Sequence, residues 1–225
     1  MIFHPATQIS LSLFMILALS VFGIVIYVLK RANARRTHYL FYIAYIALVS
    51  IMALTGFTRA HIFQAMPIAI VITIVSAAFF GLSQISRKIC DQFTLRQIVG
   101  FQSFRLPLEL ILHNWAFNNV IPTTMTWSGQ NWDILSGLLA IVAALTVNRH
   151  RRMAVIFQVI GALLLLNVFR VVVFSLPTPF GWPLENPLQL PFEFPYVLIL
   201  PLCVWPAAVG HFILWQKLRL KKATE

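Results

Sequence analysis

The chain has 225 residues, 60% of them hydrophobic and 10% charged, with a net charge of +11 and a mean hydropathy of +0.84. Soluble domains carry about 25% charged residues, so this composition excludes a surface facing water and makes lipid the expected solvent. The positive charge does not point to nucleic acid. It falls in short clusters between apolar runs, the pattern of topology signals and of contacts with anionic headgroups.

A membrane span needs about 20 mostly apolar residues. Seven segments qualify, near residues 8–29, 38–57, 67–86, 97–117, 133–148, 153–176 and 195–216, which predicts an all-α transmembrane bundle forming a single domain over 1–225. The first run has no basic residue ahead of it and is followed by Lys30, Arg31, Arg35 and Arg36, as expected of a retained span with an outside N-terminus. Tyr39, Tyr42 and Tyr45 recur on the second span and read as packing. A basic connection with Arg87, Lys88, Cys90 and Arg96 follows the third. Cys203 lies inside the last span, at another depth from Cys90, so neither a disulfide nor a thiolate metal site is expected.

The fifth span is short, and its boundary with the sixth rests on Arg149, His150, Arg151 and Arg152. With the connections assigned alternately, 14 of the 17 basic residues fall on one side, Arg59 alone on the other, and Arg105 and Arg170 inside spans. By the positive-inside rule the C-terminus is then cytoplasmic. The outer segments are 58–66, 118–132 and 177–194, and the third is rich in proline and aromatics. Pro177, Pro179, Pro183, Pro187 and Pro191 stand among Phe180, Trp182, Phe192 and Phe194. That density forbids a regular helix, and the segment reads either as an interfacial loop or as a rigid lid over a cavity.

Two stretches carry a resemblance. One runs from Phe104, Arg105, Pro107 and Glu109 through Ile121-Pro122 to Asn131, Asp133 and Gly137. The other runs from Asn167 through Ser175, Pro177, Pro179 and Phe180, then Glu193 and Pro195, to a last span with His211. Over residues 100–217 the chain resembles a family of small seven-span bacterial membrane proteins with no assigned function. The resemblance implies a bacterial inner membrane and supplies no mechanism.

Polar residues inside a span are costly, a central Arg or Asp by about 2.5–3.5 kcal/mol, and mark sites by default. Gln102, Arg105, Glu109 and His113 fall within one arc of about 80° on span four at about 100° per residue. Pro107 lies on another face and should bend the helix. Asn167 and Arg170 on span six sit at a similar depth. Glu109 is the lone central carboxylate against two arginines, so an Arg105–Glu109–Arg170 cluster is the simplest pairing. It leaves a surplus of positive charge for an anionic ligand. Alternatively, Arg105 and Glu109 neutralise each other and lock helices together. Asp133 reads as the N-cap of span five or as a ligand at the outer mouth. His211 reads as packing near the inner end of span seven.

No metal site and no cofactor are expected. Every lysine lies at a cytoplasmic end, which excludes a Schiff base to a chromophore at mid-membrane, and the standard hydrolase and nucleotide motifs are absent. The leading expectation is a carrier or binding protein for a small, anionic molecule or ion. It would use an outward-facing pocket between spans four and six, formed by Gln102, Arg105, Glu109, His113, Asn167 and Arg170. Two alternatives stay open. One is a membrane enzyme acting on a lipid-borne substrate at the outer leaflet, with His113 as acid or base. The other is a non-catalytic subunit whose polar stripe faces a membrane-protein partner.

Overall fold

The computed structural model describes residues 5–222, without the side chains of Phe63, Gln64, Pro191, Lys221 and Lys222. Two of the basic residues counted above, Lys221 and Lys222, therefore lie outside the described side chains. The described chain is all-helical. Five of its helical stretches are long and apolar enough to cross a membrane, namely Gln8–Arg31, Arg36–Leu54, Ala65–Leu82, Arg152–Ser175 and Tyr196–Leu220.

Helix α1 (Gln8–Arg31) is capped by the Thr7 hydroxyl, which accepts from the Ser10 N–H, and closes on Lys30 and Arg31, where cations complement the helix dipole. After a tight turn through left-handed Asn33 come α2 (Arg36–Leu54) and the single turn α3 (Phe57–Ala60). Gly56, at φ 70°, supplies the reversal between them. Helix α4 (Ile62–Leu82) starts earlier than the sequence suggests and stops at Ser83. The short α5 (Gln84–Gln92) then buries Ile85, Ser86, Ile89 and Cys90 as one stripe.

Where the fourth span was expected, the helix is broken into two pieces, and neither is among the five long stretches. Helix α6 (Leu95–Phe101) begins with a reciprocal capping box between Thr94 and Gln97. A 3-10 turn at Gln102–Phe104 then leads into α7 (Arg105–Phe117). Pro107 cannot donate to the Ser103 carbonyl, and the turn ahead of it tightens so that the Arg105 N–H meets the Gln102 carbonyl. The irregularity takes the form of this 3-10 turn, which sits about one turn ahead of the proline. Helix α7 ends in a Schellman motif. Asn119 takes the left-handed C′ position, and the Val120 N–H reaches back 2.8 Å to the Trp115 carbonyl.

Helix α8 (Ile134–Thr146) has only 13 residues, about 20 Å at 1.5 Å per residue. Helix α9 (Arg152–Ser175) is long and regular. The expected seventh span opens irregularly, as a 3-10 turn at Tyr196–Leu198 and a π-helical turn at Leu200–Val204, before α10 (Trp205–Lys222). Pro201 and Pro206 remove two ladder donors there, which accounts for the irregularity.

This last stretch is the axis of the bundle: 78% of its apolar window is buried inside the protein, against 22% for α1, α2 and α9. It packs against α4, α5, α6 and α9, while α8 lies against α6, α7 and α9. Two aromatic clusters bind the outer helices to it. Trp205 stacks on Tyr42 at 5.1 Å and meets Phe80 edge-on at 5.4 Å, its indole N–H donating to Ser76 Oγ. Trp115 meets Phe14 and Tyr196 edge-on, with its N–H on Ser10 Oγ. Both buried indoles thus have a polar partner. Ile9, Phe79, Phe117, Leu145 and Leu163 point outward and are more than half exposed. Apolar exposure all round a bundle suits hydrocarbon, not water.

Candidate functional site

The beginnings of α7 and α8 meet at an ion pair. The Arg105 guanidinium, 1% exposed, grips Asp133 bidentately: Nε donates to Oδ2 at 2.7 Å and one terminal amine donates to Oδ1. The other terminal amine donates to the Gly161 carbonyl at 3.4 Å and lies 3.2 Å from His211 Nε2. His211 stacks on Phe157, and its second ring nitrogen is 3.3 Å from Gln158 Oε1. One arginine thereby joins α7, α8, α9 and α10.

Asp133 occupies the N-cap position of α8, yet its carboxylate does not cap the helix; it serves Arg105 and also accepts from Ser136 Oγ at 3.0 Å. The cluster expected from sequence, Arg105 with Glu109 and Arg170, does not form. Side chains in a helix lean towards its N-terminus. Arg105 therefore reaches back towards His211, and Glu109 lies one turn further out.

Glu109, 2% exposed, accepts a hydrogen bond from Asn131 Nδ2 at Oε1, at 3.0 Å. The same amide nitrogen donates to the Met125 carbonyl, and Asn131 Oδ1 accepts from the Asp133 N–H, so the loop amide is held from three sides. The other carboxyl oxygen, Oε2, is buried without a hydrogen-bond partner among the described residues. Glu109 lines a cavity of about 110 Å³ together with Arg105, Asp133 and Asn131. Apart from Thr58 on α3, the rest of the wall is hydrophobic, from Met52 on α2, Ala69 and Ile70 on α4 and Leu165 on α9 to Leu188, Leu190 and Val204. Leu188 and Leu190 come from the proline-rich outer segment, whose path over the cavity is tied down by the Leu188 N–H on the Ser175 carbonyl at 2.7 Å.

The other expected site residues lie elsewhere. Gln102 donates to the Ala207 carbonyl at 3.0 Å, its Oε1 is buried without a partner, and it tightens α10 against the 3-10 turn beside Gly210. His113 stacks flat on Trp127, with ring centroids 4.0 Å apart, and does not line the cavity. Asn167 donates to the Gln130 carbonyl at 2.8 Å. Arg170, exposed on the same face of α9, holds Asn167 Oδ1 and Gln130 Oε1 and lies over the Trp182 ring. These two residues fasten the outer loops to α9. Of the six, only Arg105 and Glu109 reach the cavity.

The residues that complete the site, Asn131 and Asp133, stand in a loop and at a helix start, where span-by-span reading assigns them to capping. Distance along the chain gave no signal, since Asp91 lies nearer to Arg105, and Glu185 nearer to Arg170, than Asp133 does.

A family model for a domain of unknown function, DUF8737, matches residues 62–219, more than half of the chain. The chain belongs to this family. No curated protein and no solved structure matches it. The DUF8737 match begins at the first residue of α4 and ends within α10. It contains the whole Arg105–Asp133–His211 network and every residue of the cavity wall except Val49, Met52 and Thr58.

Proposed function

We propose that this DUF8737 protein is a multi-pass protein of a bacterial inner membrane that binds or carries a small molecule in the cavity beside Glu109. Seven passes with the N-terminus outside remain the topology best supported by charge, since 14 of the 17 basic residues fall on one side. The observation that carries the functional reading is the buried Glu109 Oε2, unpartnered among the described residues, on a residue that lines a mostly apolar cavity. A buried acceptor left unmade costs about 1–3 kcal/mol, and a donor on a bound molecule would remove that cost.

The surplus of arginine that favoured an anionic ligand is absent from the cavity: Arg105 is matched by Asp133, and Arg170 lies on an exposed face. An uncharged or cationic ligand with an apolar body and an N–H or O–H group suits the wall better. Dry cavities of about 150 Å³ take up benzene, so the space matches one ring or a short chain. His113 lies outside this cavity, so the geometry gives it no part in binding there.

Thermal unfolding of the detergent-solubilised protein tests the reading with benzylamine, benzyl alcohol and benzoate as probes. The first two should raise the melting temperature of the wild type and leave Glu109→Leu and the cavity-filling Ala69→Phe unchanged. Benzoate should do little. A shift with benzoate alone, or an equal shift in Glu109→Leu, would overturn the proposal.

A further inference from the structure

A second concavity lies towards the basic end of the bundle, lined by Trp205 and Pro206 where Val204 and Ala207 line the Glu109 cavity. It is an apolar trough of about 490 Å³ between α1, α6 and α10, floored by Phe80 and Ile89. Its width comes from small residues. Gly100 faces Ala144, and Gly210 faces the Gln102 side chain, so no bulky group from these positions fills the gap. Val25, Leu29, Phe101, Val209 and Ile213 form the flanks. The volume falls in the range of about 300–1,000 Å³ typical of small-molecule sites.

The trough changes character at one end. Arg96 and Gln97 line it there and at the same time line an adjoining polar recess of about 440 Å³ with Thr94 and Asn148. Tyr27, 55% exposed, stands at the same end, edge-on to Phe93. Arg96 is exposed and has no hydrogen-bond or ion-pair partner among the described residues. An apolar channel and a polar recess thus share one unpaired cation at their junction. That division matches an amphiphile with a negative charge between its tail and its head.

We propose that this is a binding site for an anionic glycerophospholipid with a hydroxylated headgroup, drawn from the leaflet at the basic end of the bundle. One acyl chain lies in the trough between α1 and α10. The phosphate pairs with the Arg96 guanidinium, whose planar set of donors suits phosphate oxygens. The headgroup hydroxyls meet Thr94, Gln97 and Asn148 in the recess. The site requires that the bundle sit in a bilayer, but it is independent of the Glu109 cavity.

Native mass spectrometry of delipidated protein in detergent, titrated with phosphatidylglycerol or with phosphatidylcholine of the same acyl chains, tests the site. The wild type should bind one phosphatidylglycerol per chain about fivefold more tightly than phosphatidylcholine, the worth of one cation beside an anionic headgroup. Arg96→Gln should abolish that preference. Ile24→Trp, at a trough-lining position 43% exposed to the surroundings, should weaken both lipids without disturbing the core. Arg59→Gln, at the other end of the molecule, should change neither. An undiminished preference in Arg96→Gln, equal binding of the two lipids by the wild type, or unaltered binding in Ile24→Trp would each refute the site. None of these outcomes bears on the benzylamine response that tests Glu109.

Discussion

Replacing Asp133 with asparagine should destabilise this protein more than any other single change of a charged side chain. The substitution leaves Arg105, 1% exposed, with an amide oxygen at position 133, the Gly161 carbonyl at 3.4 Å and His211 Nε2 at 3.2 Å, and none of these carries the opposite charge. Removing one member of a buried ion pair costs about 3–5 kcal/mol, because the surviving charge stays desolvated. At about 2–4 °C per kcal/mol for a chain of this length, the melting temperature should fall by about 10 °C. Tryptophan fluorescence in detergent reads the loss directly, since Trp115 and Trp205 are both buried. Arg105→Met combined with Asp133→Leu supplies the complementary arm. Apolar replacement of both partners is often neutral or stabilising, so the double variant should recover most of the loss, with a coupling energy far outside additivity. If Asp133→Asn melts with the wild type, the pair does not hold the four helices together, and Arg105 must find its counter-charge elsewhere.

Three other outcomes follow from the same geometry. Glu109→Gln should stay within about 1 kcal/mol of the wild type, because an amide oxygen still accepts from Asn131 and Oε2 has no partner to lose. A drop comparable with Asp133→Asn in the same melt would return Glu109 to the role of arginine counter-ion. Gly161→Ala would set a Cβ 2.9 Å from His211 Cε1 and should cost about 1–3 kcal/mol by overpacking, whereas Gly23→Ala, with nothing within 4 Å, should gain about 0.5–1 kcal/mol. Paired melting curves in which the two alanines behave alike would contradict this placement of His211. For topology, reporter fusions after Met66, Trp127 and Pro187 should read outside, and those after Arg35, Arg152 and Glu225 cytoplasmic. An odd number of inversions along that series would eliminate seven passes.

Hydrophobic length was enough to locate most of the helices, because a run of about 20 apolar residues has few other ways to satisfy its backbone. It was less informative where proline intervenes. The break at Gln102–Phe104 and the π-helical start of the last stretch depend on how freed carbonyls find new donors, which is decided by neighbouring helices.

The site divided along a similar line. The angular arc on span four correctly gathered Gln102, Arg105 and Glu109 as buried residues, since burial follows from helical periodicity. Their partners did not follow. Periodicity gives the face of a side chain, whereas an arginine can be paired by any carboxylate within reach of its long stem. Arg105 leans back towards the start of α7 and finds Asp133, 28 positions away in the chain, in preference to Glu109, four away. That choice separates two roles that sequence merges. A fully satisfied arginine acts as a fastening between helices, and the carboxylate it leaves behind lines the cavity with one oxygen unpartnered among the described residues. Glu109 is therefore the place to look for a ligand because Arg105 is not.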